Sequence, residues 1–255
     1  MAGQVLDGMV AVVTGGASGI GRAISIQFAA EGAAVVIADL DAERAHSVAD
    51  EVNGMGGTAR SYQVDVTDEL EISRAIGIAE QEFGKLNILS CNAGLAGYPR
   101  SAVDADPDEF DRIFAVNVKG VWYSVRSAVP ALRRAGGGSI IVMGSIMGER
   151  SRPGFGAYAS SKAAVNHLAR TLALELADDA IRVNAIAPVA TETAMLPQFL
   201  GPDDPKGARE RFIASIPLGR LAQPEDVGGA AVFLASQSAA FITGAVIPVD
   251  GGRSV

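Results

Sequence analysis

The sequence predicts one α/β domain built on a doubly wound parallel sheet, and three observations carry that expectation. Apolar runs of strand length alternate with longer amphipathic segments through the first three quarters of the chain. The runs are continuous in Val and Ile instead of alternating with polar residues, and no linker or composition shift divides the 255 residues. Continuous apolar runs mark strands buried on both faces. Their alternation with helical segments marks right-handed strand–helix–strand crossovers. One unit spanning residues 1–255 is long enough to bury a large core.

The elements follow in order. Strands are expected at residues 9–14 (MVAVVT), 33–39 (AAVVIAD), 59–64, 86–91 (LNILSC), 139–144 (SIIVMG), 181–187 (IRVNAIA) and 245–249. Helical periodicity occupies about 18–31, 41–53, 68–83, 108–134, 158–177 and 224–235. Residues 189–215 break the rhythm with Pro197, Pro202, Pro205 and two glycines, and read as a lid or loop over a binding site.

Composition excludes several function classes. A net charge of -8 and no basic stripe disfavour a nucleic-acid partner. Cys91 is the only cysteine, so an internal disulfide and a cysteine zinc cluster are both ruled out, which suits a reducing cytoplasm. Residues 1–7 lack the basic start and apolar run of a signal peptide, and no apolar stretch reaches membrane-spanning length. The expectation is a cytoplasmic protein with no membrane partner.

Two constellations carry chemistry. Thr14-Gly15-Gly16-Ala17-Ser18-Gly19-Ile20-Gly21 joins the first strand to the first helix. Glycines there permit a tight turn and a close approach of backbone N–H groups to a pyrophosphate, while the helix N-terminus adds partial positive charge. Asp39 ends the next strand, 18 residues beyond Gly21. An acid at that place accepts hydrogen bonds from the adenosine ribose, although an isolated aspartate there would be a solvated turn residue. Leu40 and Asp41 offer no cation for a 2′-phosphate, so the cofactor expected is NAD and not NADP.

The second constellation is Ala157-Tyr158-Ala159-Ser160-Ser161-Lys162. Four residues apart, the phenol and the ammonium share one helix face. Alone, such a pair is a packed ring and a solvated charge. It gains meaning from its companions. Together these residues resemble the short-chain dehydrogenase/reductase family in its single-domain branch, over nearly the whole chain. The cofactor loop, Asp65-Val66, Cys91-Asn92-Ala93-Gly94, Val116-Asn117-Val118, Ser145, Tyr158 and Lys162 fall in the family's order, with Ser145 preceding Tyr158 by 13 residues. Arg182 to Pro188, Pro224-Glu225-Asp226 and Val249 to Gly252 match its remaining signatures.

The resemblance implies a Rossmann-type fold and hydride transfer between the nicotinamide of NAD and a small secondary alcohol or ketone. It implies Asn117, Ser145, Tyr158 and Lys162 as the catalytic tetrad. Tyr158 would be the general acid/base, Lys162 its electrostatic support and ribose ligand, Ser145 the orienting hydroxyl, and Asn117 the holder of a relay water. Cofactor contacts would come from Gly15, Ser18, Gly19, Ile20, Gly21, Asp39, Leu40, Asp65, Val66, Asn92, Ala93, Gly94, Tyr158 and Lys162. Pro188, Val189, Thr191 and Thr193 would border the nicotinamide. Two departures stand out: Cys91 replaces an asparagine, and Val189 stands where the family usually has glycine.

A serine triad lacks a suitable histidine, since His46 and His167 both fall on predicted helices and no nucleophile elbow surrounds Ser145. No ligand cluster indicates a metal. Leu95, Ile146, Met147, Phe155, Met195, Leu196 and Phe199 suggest an apolar substrate pocket, and Arg150 and Arg152 are either solvated or meet an anionic or hydroxylated substrate. Within the family, a 3-oxoacyl-[acyl-carrier-protein] reductase using NADPH is the alternative; Gly136 and Asp179 occupy its carrier-gripping basic positions. A dinucleotide-binding regulator without catalysis is the alternative from another class. Helices 108–134 and 158–177, with Ala163, Ala164, Ala169 and Ala173, lead to an expected homotetramer.

Overall fold

In a computed structural model the described residues are 4–255; the first three residues of the segment 1–7 read for targeting lie outside them. Seven parallel strands form one sheet: β1 (Val10–Thr14), β2 (Ala34–Asp39), β3 (Thr58–Gln63), β4 (Ile88–Cys91), β5 (Gly138–Met143), β6 (Ile181–Pro188) and β7 (Val246–Val249). Their spatial order is β3-β2-β1-β4-β5-β6-β7. The sheet therefore grows in opposite directions from β1 and β4, and a crevice opens beyond the carboxyl ends of that pair.

Crossover helices cover both faces. On one side lie α1 (Gly19–Ala30), α2 (Ala42–Gly54) and a late helix, Pro224–Ala235; on the other lie α3 (Glu69–Phe83) and the long helices near 107–134 and 156–175. Each face seals its own core. Val12, Val36, Leu89, Ile140 and Val183 point to the α3 side; Val13, Val35, Ile37, Ile141 and Ile186 point to the α1 side. Successive strand residues alternate between the faces, which is why the strands read as unbroken apolar runs.

The stretch expected as one helix over 108–134 is continuous but changes pitch. It consists of α4 (Pro107–Phe114), a π-helical turn at Ala115–Lys119 and α5 (Gly120–Arg134). Asn117 sits in that turn, fully buried. A π-bulge redirects one side chain without ending the helix, a feature that propensity does not reveal. Next comes α6 (Gly156–Glu175), which begins two residues before the expected start. Ala169 and Ala173 face the core of the chain itself, whereas Ala163 is exposed. Only part of that alanine set remains available to another subunit.

The 189–215 segment, expected as a lid or loop, is ordered into two short helices. These are α7 (Leu196–Leu200) and α8 (Pro205–Ala214), and α9 (Pro224–Ala235) then leads to β7. Leu196, Phe212, Ile216 and Leu221 pack with Val189 and Ile146 in a small core of their own. A bridge between Thr191 and Ala222 and an ion pair between Glu192 and Arg209 tie down its two ends. No helix among the described residues is long and apolar enough to cross a membrane.

Candidate active site

One cleft of about 590 Å³ lies at the carboxyl ends of β1, β4, β5 and β6. Its walls include nearly every residue expected at a cofactor: Gly15, Ser18, Gly19, Ile20, Asp39, Leu40, Asp65, Val66, Asn92, Ala93, Gly94, Pro188, Val189, Thr191 and Thr193. Ser145, Tyr158 and Lys162 line the same cleft. Gly21 and Asn117 do not. Both stand behind the wall, and their roles follow from packing.

The glycine loop is built by close approach. Gly15 has φ 63, and a Cβ on it would stand 2.7 Å from the Ala93 Cα. A Cβ on Gly21 would stand 2.0 Å from the Gly15 carbonyl oxygen, so α1 can seat against the loop only with hydrogen there. Thr14 clamps the neighbouring strands: its Oγ1 accepts from the N–H of Asn92 at 3.2 Å, while the Asn92 amide donates to the Gly15 carbonyl at 3.0 Å. The first turn of α1 has no acidic residue, and Ser18 makes no side-chain cap bond. Its N–H groups are left for an anion. The cradle, the space over the glycines and the open helix terminus fit a dinucleotide pyrophosphate.

Asp39 has a task the sequence did not show. Its Oδ2 accepts from the Ala17 N–H at 3.0 Å, and its Oδ1 accepts from the Asp41 N–H at 3.1 Å. The carboxylate thus braces the glycine loop and, with two lone pairs per oxygen, keeps acceptor capacity toward the cleft. Leu40 beside it is 63% exposed.

At the opposite end, α6 brings Tyr158 and Lys162 one turn apart, both buried. Ser145 follows β5, and its Oγ accepts from the Met147 N–H at 3.1 Å, which holds the hydroxyl at the strand end. Asn117 is spent on structure. Its Nδ2 donates to the Leu95 carbonyl and to Ser161 Oγ, each at 2.9 Å, and its Oδ1 accepts from the Leu95 N–H at 2.8 Å. Ser161 in turn donates to the Tyr158 carbonyl at 2.7 Å. With both amide protons used within the protein, Asn117 locks the start of α6 against the π-turn.

The electrostatics depart from expectation. Burial pushes the Tyr158 phenol up to about 12, opposed only by the neighbouring Ser145 hydroxyl. Lys162 does not lower it in this geometry, because the ammonium donates to the Met143 carbonyl at 2.7 Å and stands 5.7 Å from the centre of the Tyr158 ring. Burial also pulls Lys162 down to about 8 from the ordinary 10.5. Between those two values the unfolded chain keeps a proton that the folded chain has lost, so stability rises with pH across that window. Below 8 both states are protonated, and the native state carries the full cost of a buried cation, about 3 kcal/mol. Lys162→Met should therefore abolish turnover yet raise the melting temperature at pH 7 by several degrees, less the cost of orphaning the Met143 carbonyl. The gain should shrink toward pH 10. Melting curves at pH 7 and 9.5 check it, and a lower Tm at pH 7 would refute it.

Several contributors escaped the sequence reading. Ser161 and the Met143 carbonyl hold Asn117 and Lys162, and Phe212 and Arg253 line the cleft from α8 and the C-terminal segment. Asn166, one turn beyond Lys162, lies buried under the Ser145 loop; a Cβ on Gly144 would stand 2.1 Å from its Oδ1. None has a local pattern that marks it. Of the expected pocket residues, Leu95, Ile146, Met147, Met195 and Phe199 line the cleft. Phe155 instead packs behind Phe199, ring centres 5.4 Å apart, and Leu196 belongs to the lid core. Val189 keeps the sheet register despite replacing glycine: its N–H donates to Val249 at 3.2 Å, and Ala180 is the only non-glycine with positive φ among the described residues. Burial pushes the Cys91 thiol up to about 12, as an inert core cysteine requires.

This geometry has close relatives. The family described as Enoyl-(Acyl carrier protein) reductase matches residues 15–254. The chain is 42% identical over 250 residues to 4-formylbenzenesulfonate dehydrogenase of Comamonas testosteroni, covering 98% of this chain and 99% of that protein. The solved 3-ketoacyl-(acyl-carrier-protein) reductase from Brucella melitensis, complexed with NADH, superposes with a TM-score of 0.91 at 40% identity, over 98% of this chain and 100% of that one. A 7α-hydroxysteroid dehydrogenase complexed with NADH and 7-oxo glycochenodeoxycholic acid gives 0.92 at 37% identity, over 98% and 95%. The chain belongs to the short-chain dehydrogenase/reductase family and is a nicotinamide-dinucleotide-dependent oxidoreductase of alcohol and ketone groups.

Proposed function

We propose that this enzyme uses NAD to interconvert a small secondary alcohol and its ketone, with Tyr158 as general acid/base, as a cytoplasmic homotetramer. The observation that carries the reading is the convergence of Ser145, Tyr158 and Lys162 at one end of a cleft whose other end holds the glycine loop and Asp39. When bound, the dinucleotide supplies the hydride acceptor and a positive ring. Ser145 Oγ is pinned by Met147 and orients the substrate oxygen toward the phenol. Tyr158 is neutral at physiological pH, so it donates to a ketone oxygen in reduction and takes the hydroxyl proton in oxidation once its phenolate is favoured. Lys162 supplies positive charge one turn away. Asn117 acts on Tyr158 indirectly, through Ser161.

The carrier-protein alternative meets an unhelpful surface. Asp179 is acidic and pairs with Arg133 at 2.7 Å, and Arg134 pairs with Glu80 at 2.8 Å. The cations of that rim are already neutralised, which leaves little to grip a phosphorylated acidic carrier. Exposed Trp122, Leu174 and Phe241 support association with further copies.

The test is turnover with NAD on a panel of secondary alcohols, sugars and hydroxysteroids. Sustained NADH formation is expected with at least one member and none with NAD alone. Sedimentation at micromolar concentration should give four times the mass of the chain; a monomer would dismiss the oligomer.

A further inference from the structure

The lid end of the cleft carries more positive charge than the chemistry at Tyr158 needs. In a chain of net charge -8, Arg152 and Arg253 both stack on one ring, Phe212 of α8, and Arg150 donates to the Arg253 carbonyl at 3.1 Å. The Arg152 guanidinium lies 4.7 Å from the centre of that ring and the Arg253 guanidinium 5.1 Å. Nearby carboxylates are engaged elsewhere. Asp204 pairs with Arg211 at 3.0 Å and Glu149 with Arg170 at 3.2 Å; Asp250 accepts from the N–H groups of Gly252 and Ser254, and its charge acts on Arg253 from a distance without forming an ion pair. Among the described residues neither Arg152 nor Arg253 has an ion-pair partner.

The two arginines divide the work. Arg152 donates to the Phe199 carbonyl at 3.1 Å and so supports the aromatic wall. Arg253, half-buried, faces the cleft itself. Phe199 packs edge-on to Tyr158, ring centres 5.3 Å apart, so this wall borders the reacting half of the cleft and not the Asp39 half. Burial, and then the charges of Arg253 and Arg211, hold Arg152 below its ordinary value, the expected response of a half-buried cation beside like charges.

We propose that Arg253, backed by Arg152, is an oxyanion-recognising subsite, and that the substrate is an apolar, ring-sized alcohol or ketone bearing a carboxylate or sulfonate at the end remote from its reacting carbon. The apolar body lies against Met147, Met195 and Phe199, and the anion meets the guanidinium at the lid. This rests on the oxidoreductase reading above and deepens it.

The test compares a charged probe with its neutral isostere. With NAD saturating, so that the ketone cannot be reduced, 4-acetylbenzoate and 4-acetylbenzamide are titrated into the enzyme by calorimetry. The acid should bind at least about tenfold more tightly, the contribution of a charge-assisted hydrogen bond. Arg253→Gln should bring the two within about twofold of each other, while Arg253→Lys keeps most of the preference and guards against a merely misfolded variant. Equal affinities in the wild type, or a preference that Arg253→Gln leaves unchanged, overturn the assignment. Failure of the underlying reading shows separately, as absence of NAD binding. The same titrations run without nucleotide would then still judge Arg253 by the ratio of acid to amide.

Discussion

Tyr158→Phe is expected to lower kcat by about a thousandfold while leaving dinucleotide binding nearly intact. The phenol oxygen is the only part removed. The ring keeps its edge contact with Phe199 and its buried place on α6, and Ser145 stays anchored through the Met147 N–H. Lys162 keeps its bond to the Met143 carbonyl as well. What disappears is the group that exchanges a proton with the substrate oxygen. Because burial holds that phenol up at about 12, alcohol oxidation by the wild type should accelerate as pH rises above neutral, and the residual activity of the variant should lose that dependence. Steady-state rates across pH, beside fluorescence titration with NADH, separate chemistry from binding. A variant retaining more than about a tenth of the wild-type rate, equivalent to about 1.4 kcal/mol of barrier, would exclude Tyr158 as the acid/base.

The second large effect lies at the other end of the cleft. The wild type should favour NAD over NADP by on the order of a hundredfold in kcat/KM, since the Asp39 carboxylate repels a 2′-phosphate and forfeits hydrogen bonds to the ribose. Asp39→Ala combined with Leu40→Arg should reverse much of that ratio, because Leu40 is exposed at the rim, where a guanidinium can meet a phosphate. Asp39 also braces the loop through the Ala17 N–H. The double variant should therefore lose some efficiency with both nucleotides, and the ratio is the quantity to read. Dissociation constants for NADH and NADPH should move in parallel with it. A wild type that prefers NADP would overturn the reading of Asp39 and restore weight to the carrier-protein reductase alternative.

The order of strands and helices, the glycine cradle and the pairing of Tyr158 with Lys162 on one helix face were legible in the sequence because each rests on local pattern. Buried parallel strands write continuous Val and Ile runs, a phosphate turn demands glycine at set intervals, and a Tyr-x-x-x-Lys pair shares a helix face by geometry alone. All seven expected strands are present. Tertiary structure decided what depends on contacts between distant segments. The π-turn that buries Asn117, its bonds to Leu95 and Ser161, the Met143 carbonyl that holds Lys162, and the meeting of Arg253 with Arg152 over Phe212 all join residues from different elements. The protonation of Tyr158 and Lys162 was decided there too. Spacing places a cation near a phenol, but desolvation by the packed chain sets both equilibria, and burial is a property of the assembled fold.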